Sequence, residues 1–412
     1  MTRHSSLARR HAAFLAAAAS LGILIHPIPS IADWEQYRGP TQNGVSAEKL
    51  PTALPKGGLK TLWTAKVGTG TSSISVSGDR VFTMGNSNET DTVWCFDAKT
   101  GGVLWKYEYP LALMKRNFEG GAAATPTVDG NRVYTVSHEG DLFCFDAATG
   151  KKIWYKHYLQ DLGGKRPGWG FAGSPLVEGN LLICDTGGRG ASTTALDKMT
   201  GNTVWKSGDD ESGYASPVVA TIVGKKTVVM FKAAHLVGLD LKDGRELWRG
   251  DWKTSYDVNA ATPLVSGNRI LVSSGYGAGC ALFEVSATGC AELWRNKELR
   301  SHFTSPVLWQ GNVYGIDGDA NPRAALVCLD FATGALKWKD KSVNGGALVL
   351  DDGKLVILNE LGELLIGDAS PNGFKPLLRQ QALPKRCWVQ PTVANGRIYC
   401  RNNDGALVAL AL

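Results

Sequence analysis

The stretch that decides the fold is Asp141-Leu142-Phe143-Cys144-Phe145-Asp146-Ala147-Ala148-Thr149-Gly150-Lys151-Lys152-Ile153-Trp154. It reads as a short apolar strand, a tight turn at Thr149-Gly150, and a second strand ending on tryptophan. Glycine in the turn supplies a positive φ at little steric cost. The carboxylate of Asp146 can accept hydrogen bonds from the amides of its own turn. Upstream, Thr125-Pro126 opens an apolar segment, Asp129-Gly130-Asn131 turns it, and Arg132–Val136 runs back. Four consecutive antiparallel strands of this length make one blade of a β-propeller.

The same grammar recurs along the chain. An aspartate and a tryptophan stand eight residues apart in Asp97/Trp105, Asp146/Trp154, Asp197/Trp205, Asp240/Trp248 and Asp330/Trp338. A further unit keeps Trp294 but has Ser286 in the aspartate position. Trp63, Trp105, Trp154, Trp205, Trp248, Trp294 and Trp338 are spaced by 42 to 51 residues, which is four short strands with their turns. All seven are expected on the outer strands, buried between neighbouring blades. Units start near residues 72, 122, 171, 214, 259, 303 and 345. The seventh is degenerate, with Leu377 or Leu378 where the tryptophan should be. An eighth begins at Gln390-Pro391 and ends after three strands at Leu412. Residues 59–66, carrying Trp63, are expected to supply its fourth strand. The sequence therefore predicts an all-β fold: an eight-bladed propeller of four-stranded antiparallel blades, closed by an N-terminal strand, which leaves no open sheet edge around the ring.

Composition agrees with one large globular domain. The 412 residues are 43% hydrophobic and 20% charged, and 49 glycines suit a chain full of tight turns. The net charge of +6 is mild at this length, and without a run of five Lys/Arg it gives no sign of nucleic-acid binding. Residues 1–32 read as a signal peptide: Arg3, Arg9 and Arg10 precede an apolar stretch from Phe14 to Ile25, and cleavage is expected after Ala32. No cysteine stands there to take a lipid. A periplasmic or secreted monomer without a transmembrane segment is expected, with a leader over 33–58 and the propeller over 59–412. Cys95, Cys144 and Cys328 occupy one register in separate blades and so cannot pair with each other; they read as small buried apolar residues. The sequence has no CxxC, GxSxG, HExxH or P-loop.

Asp-x-x-Thr-Gly-x-x-x-Trp, repeated over residues 59 to 412, resembles the PQQ-type repeat family, which includes quinoprotein alcohol dehydrogenases and the outer-membrane assembly factor BamB. Trp34-Glu35-Gln36-Tyr37-Arg38-Gly39-Pro40, followed by Asn43-Gly44, resembles a leader found before such propellers in bacteria. The resemblance implies two functions. One is a non-catalytic binding or scaffold module in the envelope. The other is a dehydrogenase that oxidises alcohols or sugars, with PQQ and calcium in the central funnel. The dehydrogenases carry a pair of adjacent cysteines, which this sequence lacks. Glu119, Asp257 and Asn259 are the nearest candidates for calcium oxygens, without alignment to the family's motif.

Strand order puts the blade-linking loops and the second-to-third-strand loops on one face, where function is expected. Three linking loops carry Lys115-Arg116, Lys165-Arg166 and Lys385-Arg386, and Arg300 is more distant. Just before the inner strands stand Trp169, Phe171, Tyr214, Asn259, His302, Phe303 and Trp388. The predicted ligand site is a basic, aromatic-rimmed funnel formed by Arg116, Arg166, Trp169, Tyr214, Asn259, His302, Arg386 and Trp388. It would suit an anionic small molecule, a glycan or an envelope protein. His138, His157, His235 and His302 show no metal-ligand spacing.

Overall fold

Each repeat becomes one blade. The computed structural model describes Met1 and residues 33–114, 118–319 and 323–412. It contains eight antiparallel sheets arranged as the repeats predict. In blade 2, Thr127–Asp129, Arg132–Val136, Asp141–Asp146 and Lys152–His157 pair in sequence order from the channel outward. Blade 8 takes Thr392–Ala394, Arg397–Arg401 and Ala406–Ala411 from the C-terminus and Thr61–Lys66 from the N-terminal side. Helix among the described residues is limited to two 3-10 turns, Ser255–Asp257 and Lys341–Val343. All eight cysteines are free, and Cys95, Cys144 and Cys328 are buried.

The repeat residues hold blade to blade. In the outer ring, the Asp146 carboxylate accepts from the amides of Ala148 and Thr149 and from the Thr149 hydroxyl, which fixes the turn. These bonds stabilise the ionised form and hold the carboxyl below its usual range. The tryptophan of the preceding blade slides beneath that turn. The Trp105 indole donates to Ala147 O at 3.0 Å, and its ring lies against Gly150, leaving no room for a Cβ. Trp63 repeats this at Ala98 and Gly101, Trp154 at Lys198 and Gly201, Trp205 at Leu241 and Gly244, and Trp294 at Phe331 and Gly334. Full burial of one such ring contributes roughly 2–4 kcal/mol.

Burial of all seven tryptophans needs correcting. Trp63, Trp105, Trp205 and Trp248 are buried, whereas Trp154, Trp294 and Trp338 are only half-buried, packed at the edges of their clusters. All three keep their seam bond, so what differs is how much of the ring the surrounding side chains cover.

Three further departures have physical causes. Trp338 faces blade 7, whose turn at Ser370–Gly373 is not Asp-x-x-Thr-Gly. Its indole keeps the seam bond, donating to Ser370 O at 2.9 Å, but Gly373 stands clear of the ring. Tyr314 of its own blade packs on it, as Tyr134 does on Trp154 and Tyr399 on Trp63. Trp248 faces blade 5, where Ser286 replaces aspartate and Gly289 lies one place early in the register. Its indole N–H is buried without a partner. Blade 7 closes on Leu378 because its neighbour, blade 8, has no Thr-Gly turn to cover. The third and fourth strands of blade 8 come from opposite ends of the chain.

An inner belt explains the Thr/Ser-Pro starts. The amide of Ser73 donates to Thr125 Oγ1 (3.1 Å) and that of Thr125 to Ser174 Oγ (2.8 Å). Ser174 donates likewise to Ser216 (2.9 Å), Ser216 to Thr262 (3.2 Å) and Thr262 to Ser305 (2.9 Å). Each hydroxyl pairs an amide of the preceding blade across the seam, where no strand ladder runs.

The last seam closes on Arg401. This fully buried guanidinium donates to Ser72 O, Thr83 Oγ1, Met84 O, Gly68 O and Gly70 O, tying blade 8 to blade 1. Desolvation pulls its pKa down to about 9.

The leader crosses the far end of the channel. The innermost strands expose amides there, and the leader pairs them. Trp34 exchanges two backbone bonds with Val76, Glu35 O takes the amide of Val128, Gln42 Oε1 that of Val219, and Gly44 O that of Leu350. Val45–Ser46 then runs parallel to Ala347–Asp351. Buried Arg38 donates to Asn43 O and Pro306 O, both at 2.7 Å. The leader thus touches blades 1, 2, 4, 6 and 7, and Ser46 reaches Val393 of blade 8.

Gly150 and Gly130 both have positive φ, but Gly130 faces open space. Gly130→Ala should cost only the backbone strain of about 1 kcal/mol. Gly150→Ala should cost several times more, because the new Cβ would meet the Trp105 ring at 2.6 Å. Thermal melts of the two variants check this, and equal melting temperatures would remove the seam role of the Trp–Gly contact. Arg401→Met should destabilise by at least ~3 kcal/mol, since it leaves several buried acceptors unpaired; denaturant titration measures it.

Candidate functional site

At the end of the ring where the innermost strands begin lies a cavity of about 360 Å³. The linking loops supply most of its wall. Trp169 enters before blade 3, Phe118 before blade 2, Trp388 before blade 8, and His302-Phe303 before blade 6. Tyr276 comes from the second-to-third-strand loop of blade 5. Their rings form a connected run. Phe118 contacts Trp169 (5.6 Å) and Trp388 (6.2 Å), Trp388 contacts Phe303 (4.9 Å), Phe303 stacks on His302 (3.9 Å), and His302 meets Tyr276 (4.6 Å). The rest of the lining includes smaller and more polar residues, among them Ser174, Tyr214, Ser216 and Ala260. Tyr37 of the leader also lines the cavity, which places the leader at its base. The funnel therefore has aromatic sides and a base that comes from outside the repeats.

Four lining side chains bury polar atoms without a hydrogen-bond partner among the described residues: His302 (both ring nitrogens), His138 Nδ1, Thr304 Oγ1 and Gln390 Nε2. His302 is 7% exposed. Desolvation pulls its pKa down to about 4, opposed by Asp319, whose carboxylate lies 3.8 Å away. Burial lowers His138 in the same way. Both imidazoles are neutral at pH 7, each with one donor and one acceptor.

Of the residues expected to bind ligand, the structure brings Trp169, Tyr214, His302 and Trp388 to the cavity. Asn259 does not line it. Its side chain is buried, donating to Lys232 O and Ala233 O and accepting from Ser274 and Thr254, so it braces the loop into blade 5. Phe171 packs into the blade core against Tyr158. Arg166 is paired with Glu139 at 2.8 Å, and Arg386 with Glu119 at 3.1 Å while stacking over Trp388. Lys165 pairs with Glu211, Lys385 with Asp404 and Arg300 with Asp317. Lys115 and Arg116 lie outside the described residues. The described lining contains no Lys or Arg, and Asp319 is its one acidic side chain. The expected basic funnel is thus, over its described part, an aromatic one without a basic side chain, because acidic neighbours take up the rim cations.

Sequence reasoning missed Phe118, Tyr37, Asp319 and Gln390. Only Gln390 carried a visible sign, since it stands where other blades have the Thr/Ser before proline.

Calcium-bound PQQ would ask for a different donor set. Calcium needs several converging oxygens, and PQQ carboxylates need counter-charge. Glu119 is spent on Arg386 and Asn403, Asp257 and Asn259 sit on the loop into blade 5, and Asn259 faces inward. No group of three His, Cys, Asp or Glu could hold a metal among the described residues. The described residues do not fit that group.

The family model described as outer membrane protein assembly factor BamB matches residues 92–340 and 323–412. The chain belongs to this PQQ-repeat family. Among solved structures, BamB from Moraxella catarrhalis is 18% identical with a TM-score of 0.64, over 86% of this chain and 100% of that one. A quinohemoprotein alcohol dehydrogenase from Pseudomonas putida is 12% identical with a TM-score of 0.62, over 92% of this chain and 80% of that one. A quinohemoprotein alcohol dehydrogenase from Comamonas testosteroni gives 12% and 0.51 over the same shares. At these identities the structural likeness shows the propeller fold that this PQQ-repeat protein shares with both kinds of relative. Comparison with curated proteins gives no match. No helix among the described residues is long and apolar enough to cross a membrane.

The depressed pKa of His302 gives a pH signature. The unfolded imidazole takes a proton near pH 6.5, whereas the folded one resists until about 4. Stability is therefore fully present above about pH 6.5 and is lost as pH falls toward 4, by roughly 2–3 kcal/mol for this group. His302→Gln should flatten that part of the melting-temperature profile. A profile unchanged between pH 6.5 and 4 would show that His302 is not held neutral by burial.

Proposed function

We propose that this chain is an exported, non-catalytic binding module of the cell envelope, with the aromatic funnel as its receptor. The observation that carries this reading is the set of buried, unpartnered polar atoms on His302, His138, Thr304 and Gln390, all in the lining of the aromatic-sided cavity. An unpaired buried polar group costs about 1–3 kcal/mol, so such a set favours a polar partner docking there. The funnel is ready to hold a molecule, and its described residues contain no nucleophile–base pair within hydrogen-bond reach. His302 is too weak a base near neutral pH to take a proton readily. Membership of the BamB-described family supports a role beside envelope proteins, and the signal-peptide pattern of residues 1–32 supports export to the periplasm or beyond.

The other reading, a PQQ-dependent alcohol or sugar dehydrogenase, draws on the likeness to quinohemoprotein dehydrogenases. Reconstitution decides between them. The purified protein is mixed with PQQ and calcium, desalted, and assayed for cofactor absorbance and for dye reduction with ethanol and glucose. The binding-module reading expects neither retained absorbance nor turnover. Retained cofactor with substrate-dependent dye reduction would replace it by the dehydrogenase.

A further inference from the structure

We infer that the funnel receives an uncharged carbohydrate, one or two pyranose rings at a time. The inference rests on the funnel being a receptor and goes on to name its ligand class. Three independent features of the lining converge on it.

The first is shape and surface. About 360 Å³ lies at the small end of the range for small-molecule sites, roughly 300–1,000 Å³. One wall is a run of flat rings, of which Trp169, Phe118 and Phe303 are half-exposed. Trp388 is held from behind: its indole donates to Glu360 at 3.1 Å and Arg386 stacks on its ring. A pyranose presents a face of C–H bonds, and such a face packs against an aromatic ring.

The second feature is the kind of hydrogen-bonding group. Sugar hydroxyls both donate and accept. Between the rings the lining carries the belt hydroxyls of Ser174, Ser216 and Ser305, the last beside Thr304. Each of the three accepts a backbone amide from the preceding blade, at 2.8, 2.9 and 2.9 Å, which leaves its own proton to donate. Neutral His302 and His138 and the Gln390 amide add buried donors and acceptors without partners. All three side chains are more than nine-tenths buried. A quaternary ammonium ligand would fill the aromatic wall but leave these groups unpaired, at a cost for each.

The third feature is charge. An ionised ligand in a half-closed site needs a counter-charge. Asp319 is the one acidic side chain of the described lining, and one of its oxygens already takes the Tyr276 amide at 2.9 Å. Anionic ligands find no cation on the described wall, because Arg166 and Arg386 are turned to Glu139 and Glu119.

Calorimetry and tryptophan fluorescence on the full mature chain test the inference. The neutral probes are cellobiose, maltose, xylobiose and diacetylchitobiose; the charged probes are digalacturonate and choline. At least one neutral disaccharide should bind saturably, with an affinity that changes less than about twofold between roughly 10 mM and 500 mM salt. Trp169→Ala and Phe303→Ala should each weaken it at least tenfold, and Gln390→Leu at least threefold, with melting temperatures confirming that the variants fold. Four silent neutral probes would overturn the inference, as would binding indifferent to both aromatic variants. Choline or digalacturonate binding that is lost in Trp169→Ala would also overturn it, while keeping the funnel as a receptor. PQQ retention with dye reduction would end the receptor reading itself, so the two failures are distinguishable.

Discussion

A propeller depends on the seam between blades. Inside a blade the strand ladders satisfy the backbone, but between blades no ladder runs, and beyond a few backbone bonds such as those from Thr71 and Ser72 to Ala122 O the sheet faces must meet through side chains. This chain answers with two concentric belts. On the outside, a tryptophan slides under the Thr-Gly turn of the next blade, and its indole donates to a turn carbonyl. On the inside, a serine or threonine hydroxyl receives an amide from the blade before. The outer belt demands glycine, since a Cβ at Gly150 would collide with Trp105. It also demands aspartate, whose carboxylate holds the turn in the shape the ring fits against. The two belts use most of the repeat's fixed residues, so the repeat is a description of the seams.

Both belts weaken and then break where the ring is joined. In the outer one, Trp338 holds blade 7 by its indole bond without a glycine beneath the ring, and no tryptophan stands between blades 7 and 8. The inner one ends at Ser305, since blade 7 opens on Ala347-Leu348. Other devices stand in at those places. Leader residues 45–46 pair with the innermost strand of blade 7, and Arg401 gathers five oxygens between blades 8 and 1. Burying a guanidinium among carbonyls is expensive unless nearly every donor is used, and Arg401 uses both terminal nitrogens this way. The leader does two jobs at once. It pairs amides that the innermost strands leave exposed, and it brings Tyr37 to the base of the cavity.

The period made the fold legible. Asp–Trp pairs eight residues apart, recurring every 42 to 51 residues, leave little besides an eight-bladed ring, and the orphaned Trp63 gives away the shared blade. The period did not say how deeply each tryptophan sinks: Trp154 and Trp294 meet regular Asp-x-x-Thr-Gly turns and are half-buried, whereas Trp248 meets an irregular one and is buried. Half of the site was legible for a related reason. Residues just before an inner strand must stand at the channel mouth, and this placed Trp169, Tyr214, His302 and Trp388. The same rule misplaced Asn259, because position on a loop does not say whether an amide turns to the channel or back to its own loop's carbonyls. It also overstated the charge of the rim. A Lys-Arg pair is visible in sequence, whereas the Glu139 and Glu119 that neutralise Arg166 and Arg386 come from other loops. Tyr37 was beyond reach, since nothing local to the leader says that it returns to the channel.

The division of labour between seams and loops also bears on function. The family's sequence signature lies in the seams, so membership fixes architecture and leaves the chemistry open. Chemistry must come from what the seams leave over: the linking loops, the leader, and the hydroxyl protons that the inner belt does not use. In this chain those leftovers are mostly aromatic rings and uncharged polar groups over the described wall, with Asp319 as its one carboxylate. A calcium-bound quinone would need the reverse, converging carboxylates and free cations. The acids and bases near the mouth, Glu119, Glu139, Arg166 and Arg386, are present in number, but they are spent on each other. Pairing of this kind leaves the described funnel wall without a basic side chain and with Asp319 as its one acidic one. A wall made mainly of rings and hydroxyls discriminates by shape and hydrogen-bond count, which is what selection among neutral ligands of similar size requires.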